Sequence, residues 1–507
     1  MKIDATLFKK TKIIATVGPA TEDKIEDLLA AGVNGIRLNF SHGTHTSHLA
    51  ALEQARAAAK KLDRSVAIIA DLQGPKIQVG SLPAGGVEIS AGQQIKFQHG
   101  ADFSKTSIIP IQYDFSAMVA KGEPLYLRDG QIKTVIRSVK KGVVVAEAQN
   151  SGKLMSNQGI NLPETHFSAS VLTKKDRQDI DLGVSKKADY IALSFVQTAA
   201  SVHELRKILA SHKSTTKIIT KIETRLAVEN LEEIVKASDA VMIARGDLAI
   251  ETASEEVPII GREIILLARK YKKIVIMATQ MLEGMMNSTQ PTRAEANDVA
   301  TAVSLGVDCV MLSGETAIGK FPIETVQTMK RIILRSEKYF VATSMAVETT
   351  DSDETELNIE GSKSLVDRVA QKTKLIFTRE LTAAGKISTD IAQKSISLSA
   401  ITLAEQLRAK LIVAETLSGS TALSLASLRP SAPVVIASPH EVVCNQLALL
   451  WGGKPFLVGK NQRGYEAAIK KMKSRGAVKD GDFVVTAYGK QHNVAGGTDT
   501  IRLLEVK

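Results

Sequence analysis

The chain has only two cysteines in 507 residues, Cys309 and Cys444, too few for a disulfide framework or a four-thiolate zinc site. Aromatic residues make up 4% of it, with a single tryptophan, which argues against the stacking platforms that bind single-stranded nucleic acid. No apolar run approaches the roughly 18 residues a membrane span needs. The first apolar stretch, KIIATV, is too short and too soon interrupted for a signal peptide. What is present is a globular composition, 44% hydrophobic and 23% charged. By length it suits roughly three domains of about 150 residues and a large core without staples. The expectation is a cytoplasmic protein of enzyme size, with no membrane and no nucleic-acid partner. Its 65 Lys+Arg against 54 Asp+Glu, a net charge of +11, are spread along the chain rather than gathered in a tail. That spread suits small anionic substrates, and no nucleic-acid motif accompanies it.

The strongest pattern is a cadence of short β-branched or apolar runs, each ending in polar residues. They are KIIATV at 12–17, GIRLN at 35–39, VAIIAD at 66–71, YIALSF at 190–195, KIITKIE at 217–223, AVMIARGD at 240–247, KIVIMATQ at 273–280 and CVMLSGE at 309–315. Helical stretches separate most of them, at 22–31, 46–62, 201–209 and 259–271. Strands this apolar are covered on both faces and belong to a parallel sheet. Eight of them predict an α/β architecture, a (β/α)₈ TIM barrel whose chemistry sits at the C-terminal strand ends. A doubly wound open sheet is the alternative.

Over 77–172 the cadence gives way to Gly-punctuated alternation, as in GVEISAGQQIKF and EPLYLRDGQIKTVIRSV, which predicts an inserted small all-β lid domain. The acidic, apolar-poor stretch at 342–385 reads as a linker or excursion. Residues 386–507 return to helix–strand alternation, a C-terminal α/β domain. The barrel then comprises 1–76 and 173–341.

Lys221 and Glu223 lie two apart on one strand face, and Asp247 follows the next strand. In a barrel they converge as two hard oxygen ligands for Mg²⁺ or Mn²⁺ beside an amine suited to charge developing on an oxygen; a surface ion pair is the bland alternative. Thr279, Ser313, Glu315 and Thr316 add polar groups at the last two strand ends, either cavity-lining or plain helix caps. Arg37, Asn39, Ser41 and His42 close the second strand, and Arg37 suits bidentate phosphate binding.

Some signals point elsewhere. The run Gly314 to Lys320 mimics a P-loop, but Phe321 stands where Ser or Thr should bind magnesium. His42, His45 and His48 are spaced like metal ligands, yet no carboxylate shell is evident for them in the sequence. Cys309 reads as a small buried hydrophobe.

Taken together, KTKIIATVGPAT, RLNFSHG, ADLQGPKI, LTKKD, KIE, ARGDL, ATQMLEGM, PTRAEANDVA and MLSGETAIGKFP resemble the pyruvate kinase family over nearly the whole chain. The resemblance implies a glycolytic phosphotransferase moving phosphoryl from phosphoenolpyruvate to ADP, giving pyruvate and ATP. It implies that Glu223 and Asp247 hold the divalent cation, Lys221 stabilises the transferring phosphoryl and the enolate, and Arg37 binds phosphate. Arg37, Asn39 and His42 would face the nucleotide. Gly246, Asp247 and Thr279 would hold the substrate carboxylate, and Thr279, Ser313 and Glu315 would relay a proton to the enolate carbon. It also implies a homotetramer with a phosphorylated small-molecule effector bound at Thr416, Ser418, Gly419, Ser420 and Thr421, where a simple cap cluster is the alternative.

The chain also departs from the family pattern. Many members bind K⁺ through residues matching Asn39, Ser41, Asp71 and the Leu72 carbonyl and carry Glu in GPE, where this chain has Lys76. The expectation is that the Lys76 ammonium replaces K⁺. Gln78 and the pair Asn157-Gln158 stand where the family has cations near the nucleotide, so weakened ADP affinity is expected. Ala249, and Gly261-Arg262, replace a usual Gly and Gln-Lys. A catalytically weak phosphoenolpyruvate or nucleotide sensor, and a metal-dependent lyase, are the competing functions.

Overall fold

In the computed structural model the chain is described over residues 9–165, 171–349, 389–459, 462–489 and 498–507. Eight parallel strands form the barrel: β1 (Lys12–Thr16), β2 (Gly35–Asn39) and β3 (Ala67–Asp71) come before the insertion. Inside the insertion run β4 (Val87–Ile89), β5 (Gln94–His99), β6 (Ile109–Ile111), β7 (Pro124–Leu127), β8 (Ile132–Lys140), β9 (Val143–Ala148), β10 (Gly152–Leu154) and β11 (Ile160–Asn161). The barrel resumes with β12 (Tyr190–Leu193), β13 (Lys217–Ile222), β14 (Ala240–Ala244), β15 (Ile274–Ala278) and β16 (Cys309–Leu312). It closes in the order β1-β16-β15-β14-β13-β12-β3-β2. Strands β1, β3, β12, β14, β15 and β16 are buried at every position, as strands covered on both faces must be.

The strands are shorter than their apolar runs. β14 ends at Ala244, and a helix, Arg245–Glu251, begins at once, so Asp247 sits in a first helical turn. Glu223, Thr279-Gln280 and Ser313-Gly314-Glu315 likewise fall beyond the last residues of β13, β15 and β16, while Lys221 lies inside β13.

By packing, the chain divides into two units: residues 1–36, 52–68 and 281–507, and residues 37–51 and 69–280. In the second unit the insertion builds a six-stranded sheet, β11-β7-β8-β9-β5-β6, and a two-stranded one, β10-β4, around its own core of Phe97, Phe115, Leu125, Ile136 and neighbours. Its strands do not all pair antiparallel. β5 and β6 pair parallel, which needs a crossover, and the connection carries a helical turn, Phe103–Thr106, capped by the Asp102 side chain.

In the first unit, β17 (Leu411–Glu415), β18 (Val434–Ser438), β19 (Gly453–Leu457), β20 (Phe483–Tyr488) and β21 (Thr500–Glu505) form one sheet in the order β19-β18-β17-β20-β21. It is parallel except for the edge strand β21. The expected acidic linker lies mostly outside the described residues, although its first part, to Thr349, continues the helix Pro322–Thr349. Among the described residues no helix is long and apolar enough to cross a membrane.

Candidate functional site

The second unit brings Arg37, Asp71, Lys221 and Glu223 together at the ends of β2, β3 and β13. Arg37 Nε donates to Asp71 Oδ2 at 2.6 Å, with side chains 11% and 1% exposed. Lys221 Nζ lies 2.9 Å from Glu223 Oε2 and donates to Ser194 Oγ at 2.9 Å. Glu223 is 1% exposed, and its Oε1 accepts from the backbone N–H of Phe195 at 2.6 Å. Phe195 sits at φ 54°, a left-handed conformation uncommon for a bulky residue, and so aims its N–H at the carboxylate.

Burial alone would lower the Lys221 ammonium, but the charges of Glu223, Asp71 and Asp247 outweigh it and hold its pKa above the usual lysine value. Burial also raises the Glu223 carboxyl, Lys221 opposes this and Asp247 adds to it. Three carboxylates (Asp71, Glu223, Asp247) face two cations (Arg37, Lys221), so the cluster carries one excess negative charge. Two buried oxygens here, Asp71 Oδ1 and Glu223 Oε2, have no hydrogen bond. Oε2 has the ammonium at ion-pair distance but not in hydrogen-bond alignment. Burying such lone pairs is costly, and a divalent cation held by Glu223 and Asp247 would satisfy Glu223 Oε2 and the excess charge, while Asp71 belongs to the expected monovalent-cation residues. The residues present therefore fit Mg²⁺ or Mn²⁺ as two carboxylates completed by substrate oxygens. Among the described residues, no group of three or more His, Cys, Asp or Glu is placed to hold a metal by itself.

Thr279, just past β15, has φ 65° and Gln280 φ 52°, strain of the kind that clusters at functional sites. Arg245 holds this turn, its Nε donating to Ala278 O at 3.2 Å and its guanidinium also to Thr279 O. Thr279 Oγ1 accepts from Gly246 N at 2.9 Å. Of the expected carboxylate-binding groups, Gly246 and Thr279 meet, the Gly246 N–H being engaged by the Thr279 hydroxyl. Ser313 and Glu315 belong to the first unit. Glu315 is 2% exposed and accepts from Leu282 N at 3.1 Å and Ser313 N at 2.7 Å. Ser313 precedes the helix Gly314–Ala317 without a side-chain cap bond, so its hydroxyl is not spent as a cap.

Other expected residues are arranged differently. Asn39 Oδ1 accepts from Ser41 N at 3.2 Å, and the Leu72 carbonyl accepts from Ser194 Oγ at 2.7 Å. Lys76 is exposed, and its Cε lies beside Gly159 rather than in contact with Asp71. Gln78 Nε2 donates to Asn157 O at 2.8 Å, Gln112 Nε2 to Asn157 Oδ1 at 3.1 Å, and Gln158 Oε1 accepts from Met155 N at 2.9 Å. The substituted positions form a neutral polar ladder. The three histidines make no metal cluster, but His45 does have a carboxylate partner, Asp179 Oδ1, at 2.7 Å, a correction to the sequence expectation. Cys309 is fully buried, as expected. In the C-terminal sheet's loop, Gly419 (φ 94°) donates to Thr416 Oγ1 at 2.9 Å, Ser418 Oγ to Ser420 Oγ at 3.3 Å, and Thr421 and Thr498 hydroxyls share a hydrogen bond at 2.5 Å.

Several supporting roles were not read from the sequence. LTKKD is a brace: Thr173 and Asp176 form a capping box, Asp176 Oδ1 accepts from Gly74 N at 3.0 Å, and Lys175 Nζ reaches Phe40 O at 2.7 Å. Gly74 (φ 68°) has no room for a side chain, since a Cβ would lie 2.9 Å from the Phe195 ring. Glu251 receives a 3.3 Å hydrogen bond from Asn161 of the inserted domain. Burial pushes its carboxyl up to about 7, and the Glu223 and Asp247 charges add to this against that hydrogen bond.

Comparison with known proteins agrees with this geometry. The family model described as "Pyruvate kinase, barrel domain" matches residues 8–326, and "Pyruvate kinase, alpha/beta domain" matches 394–504. A protein named Pyruvate kinase 2 from Synechocystis is 36% identical over 516 residues, covering 99% of this chain and 80% of that protein. Pyruvate kinases of Geobacillus stearothermophilus and Staphylococcus aureus are 36% and 34% identical, each covering 98% of this chain and 80% of theirs.

Proposed function

The chain belongs to the pyruvate kinase family, and we propose that it transfers the phosphoryl group of phosphoenolpyruvate to ADP, giving pyruvate and ATP. The observation that carries this reading is the buried Arg37–Asp71 and Lys221–Glu223 cluster, with its excess negative charge and two carboxylate oxygens lacking hydrogen bonds. Phosphoryl transfer asks a protein mainly for positioning and charge neutralisation. Mg²⁺ or Mn²⁺ held by Glu223 and Asp247 would supply neutralisation of phosphoryl and enolate oxygens. Arg37, braced by Asp71, binds the phosphate, and with Asn39 and His42 faces the nucleotide. Lys221 donates to the phosphoryl and to the enolate oxygen as negative charge grows there. The Gly246 and Asp247 amides, with Thr279, hold the carboxylate, the Gly246 N–H turning from Thr279 Oγ1 to the substrate. Thr279, Ser313 and Glu315 carry a proton to the enolate carbon as the phosphoryl leaves its oxygen.

A coupled assay with phosphoenolpyruvate, ADP and Mg²⁺ tests this. ADP-dependent pyruvate formation is expected. Binding without turnover would favour a sensor, and pyruvate released without nucleotide would favour a lyase.

K⁺-independence further requires the Lys76 ammonium to turn from Gly159 toward Asn39, Ser41 and Asp71 in the working enzyme. Strong activation by K⁺ against a tetramethylammonium control would reject it. The neutral ladder at Gln78, Asn157 and Gln158 supports weak ADP affinity. Each charged hydrogen bond is worth about 1.5–3 kcal/mol, so Gln78→Arg with Gln158→Lys should lower the ADP KM about tenfold or more without moving that for phosphoenolpyruvate. The hydroxyl-rich loop Thr416, Ser418, Gly419, Ser420 and Thr421 suits a phosphorylated effector. We read the working protein as a cytoplasmic homotetramer, which light scattering tests for its assembly.

A further inference from the structure

Ser194 follows β12 immediately, is 1% exposed, and touches both sides of the charged cluster. Its hydroxyl proton is spent on the Leu72 carbonyl at 2.7 Å. Its oxygen therefore meets the Lys221 ammonium purely as an acceptor, at 2.9 Å. Leu72 directly follows Asp71, the carboxylate that holds Arg37 at 2.6 Å. One two-residue segment thus anchors both cations of the cluster, Arg37 through the Asp71 side chain and Lys221 through the Leu72 carbonyl and Ser194.

The alternative anchor for Lys221 is Glu223. A lysine ammonium is a point charge on a flexible four-carbon stem, and Coulomb attraction, being non-directional, brings it against the nearest carboxylate without fixing where its N–H groups point. Here Nζ stands 2.9 Å from Glu223 Oε2, yet that oxygen has no aligned hydrogen bond. The directional bond the ammonium makes is the one to Ser194.

We propose that Ser194 is the positioning residue of Lys221: it directs an N–H of the ammonium to itself while Glu223 Oε2 stays in ion-pair contact at 2.9 Å, so that a lone pair of that oxygen stays open to a divalent cation. The proposal rests on the phosphoryl-transfer reading above. It adds a residue that acts on the reaction through Lys221 and on metal binding through Glu223.

The test uses Ser194→Ala, which removes the hydroxyl, and Ser194→Cys, which keeps the size but loses the strong acceptor. If the alanine variant fails to fold by circular dichroism, the cysteine variant decides. Loss of an outer-sphere partner costs about 10–100-fold in activity or metal affinity. A kcat fall in that range is expected, with little change in the phosphoenolpyruvate KM. Mn²⁺ affinity of the substrate-free protein, read from the free-ion signal in electron paramagnetic resonance, should weaken about tenfold as a Lys221 N–H turns onto Glu223 Oε2. A folded variant with wild-type kcat and Mn²⁺ affinity overturns the proposal, and so does a fall in kcat with Mn²⁺ affinity unchanged, the mark of a merely structural role. Because Mn²⁺ binding needs no turnover, an inactive wild type would break the functional reading while the metal comparison still decides Ser194.

Discussion

Around β1, charge is buried as deeply as at the ends of β3 and β13, but to a different end. Lys9 and Lys12 are 6% and 5% exposed. Lys9 Nζ donates to Gly32 O at 3.2 Å and Asn34 Oδ1 at 2.9 Å, and Lys12 Nζ to Lys9 O at 3.0 Å and Gly453 O at 2.7 Å. Nearby, Arg429 reaches both oxygens of Asp308, at 3.2 and 3.0 Å, and also Gly306 O, while Trp451 N donates to Asp308 Oδ1 at 3.0 Å. Both oxygens of that carboxylate are bonded. In the other cluster Asp71 Oδ1 and Glu223 Oε2 are not. The first region does leave the Thr11 hydroxyl oxygen without a partner, but it is neutral. Buried charge therefore does not by itself mark a site. A buried carboxylate with an unsatisfied oxygen is the stronger pointer, because that oxygen asks for a partner the chain itself does not supply.

The comparison sharpens most at Lys221. Lys221→Met should lower kcat by about 10²–10³-fold, the cost of losing a preorganised charge-stabilising donor, in the coupled pyruvate assay. Arg429→Met should do the reverse. Leaving Asp308 buried and unpaired costs about 3–5 kcal/mol, read as a lower urea midpoint, with kcat unchanged in the folded enzyme. A fall in kcat there would erase the distinction between the two regions.

A smaller effect follows from Lys12. Burial lowers its pKa from 10.5 to about 8, with Glu337 and Cys309 opposing in part. Between those values the unfolded chain binds more protons than the folded one, so this group makes stability rise with pH. Below about 8 it is charged in both states and the burial cost is present in full. Melting temperatures of the wild type should therefore gain on those of Lys12→Met as pH climbs through 8. The smallest effect belongs to neither cluster. Gly261 lies inside the helix Val257–Lys270, and a Cβ there meets nothing within 4 Å. Gly261→Ala should stabilise by about 0.5–1 kcal/mol through backbone entropy and leave activity alone.

Much of the barrel was legible, because strands covered on both faces must be apolar at every position and eight such runs stood out. Their ends were less so. ARGDL reads on from AVMIA as a single stretch, and nothing local says that the helix starts at Arg245. The parallel β5–β6 pair was also hidden, since period-two alternation looks the same whichever way strands pair. In the site, KIE and RGD announced an amine and two carboxylates by residue type. Ser194 did not stand out, because a serine closing YIALSF resembles any other polar strand end. Its partner carbonyl lies 122 residues away in sequence.

Residue order alone determined the fold class, the positions of the chemistry-bearing side chains and the family likeness, since hydrophobic periodicity and residue type are local properties. The tertiary structure alone decided which lone pairs are satisfied, where Lys76 points, that Asp71 braces Arg37 and that Ser194 holds Lys221. These depend on distances and directions between strand ends far apart in the chain, and only closure of the barrel sets them.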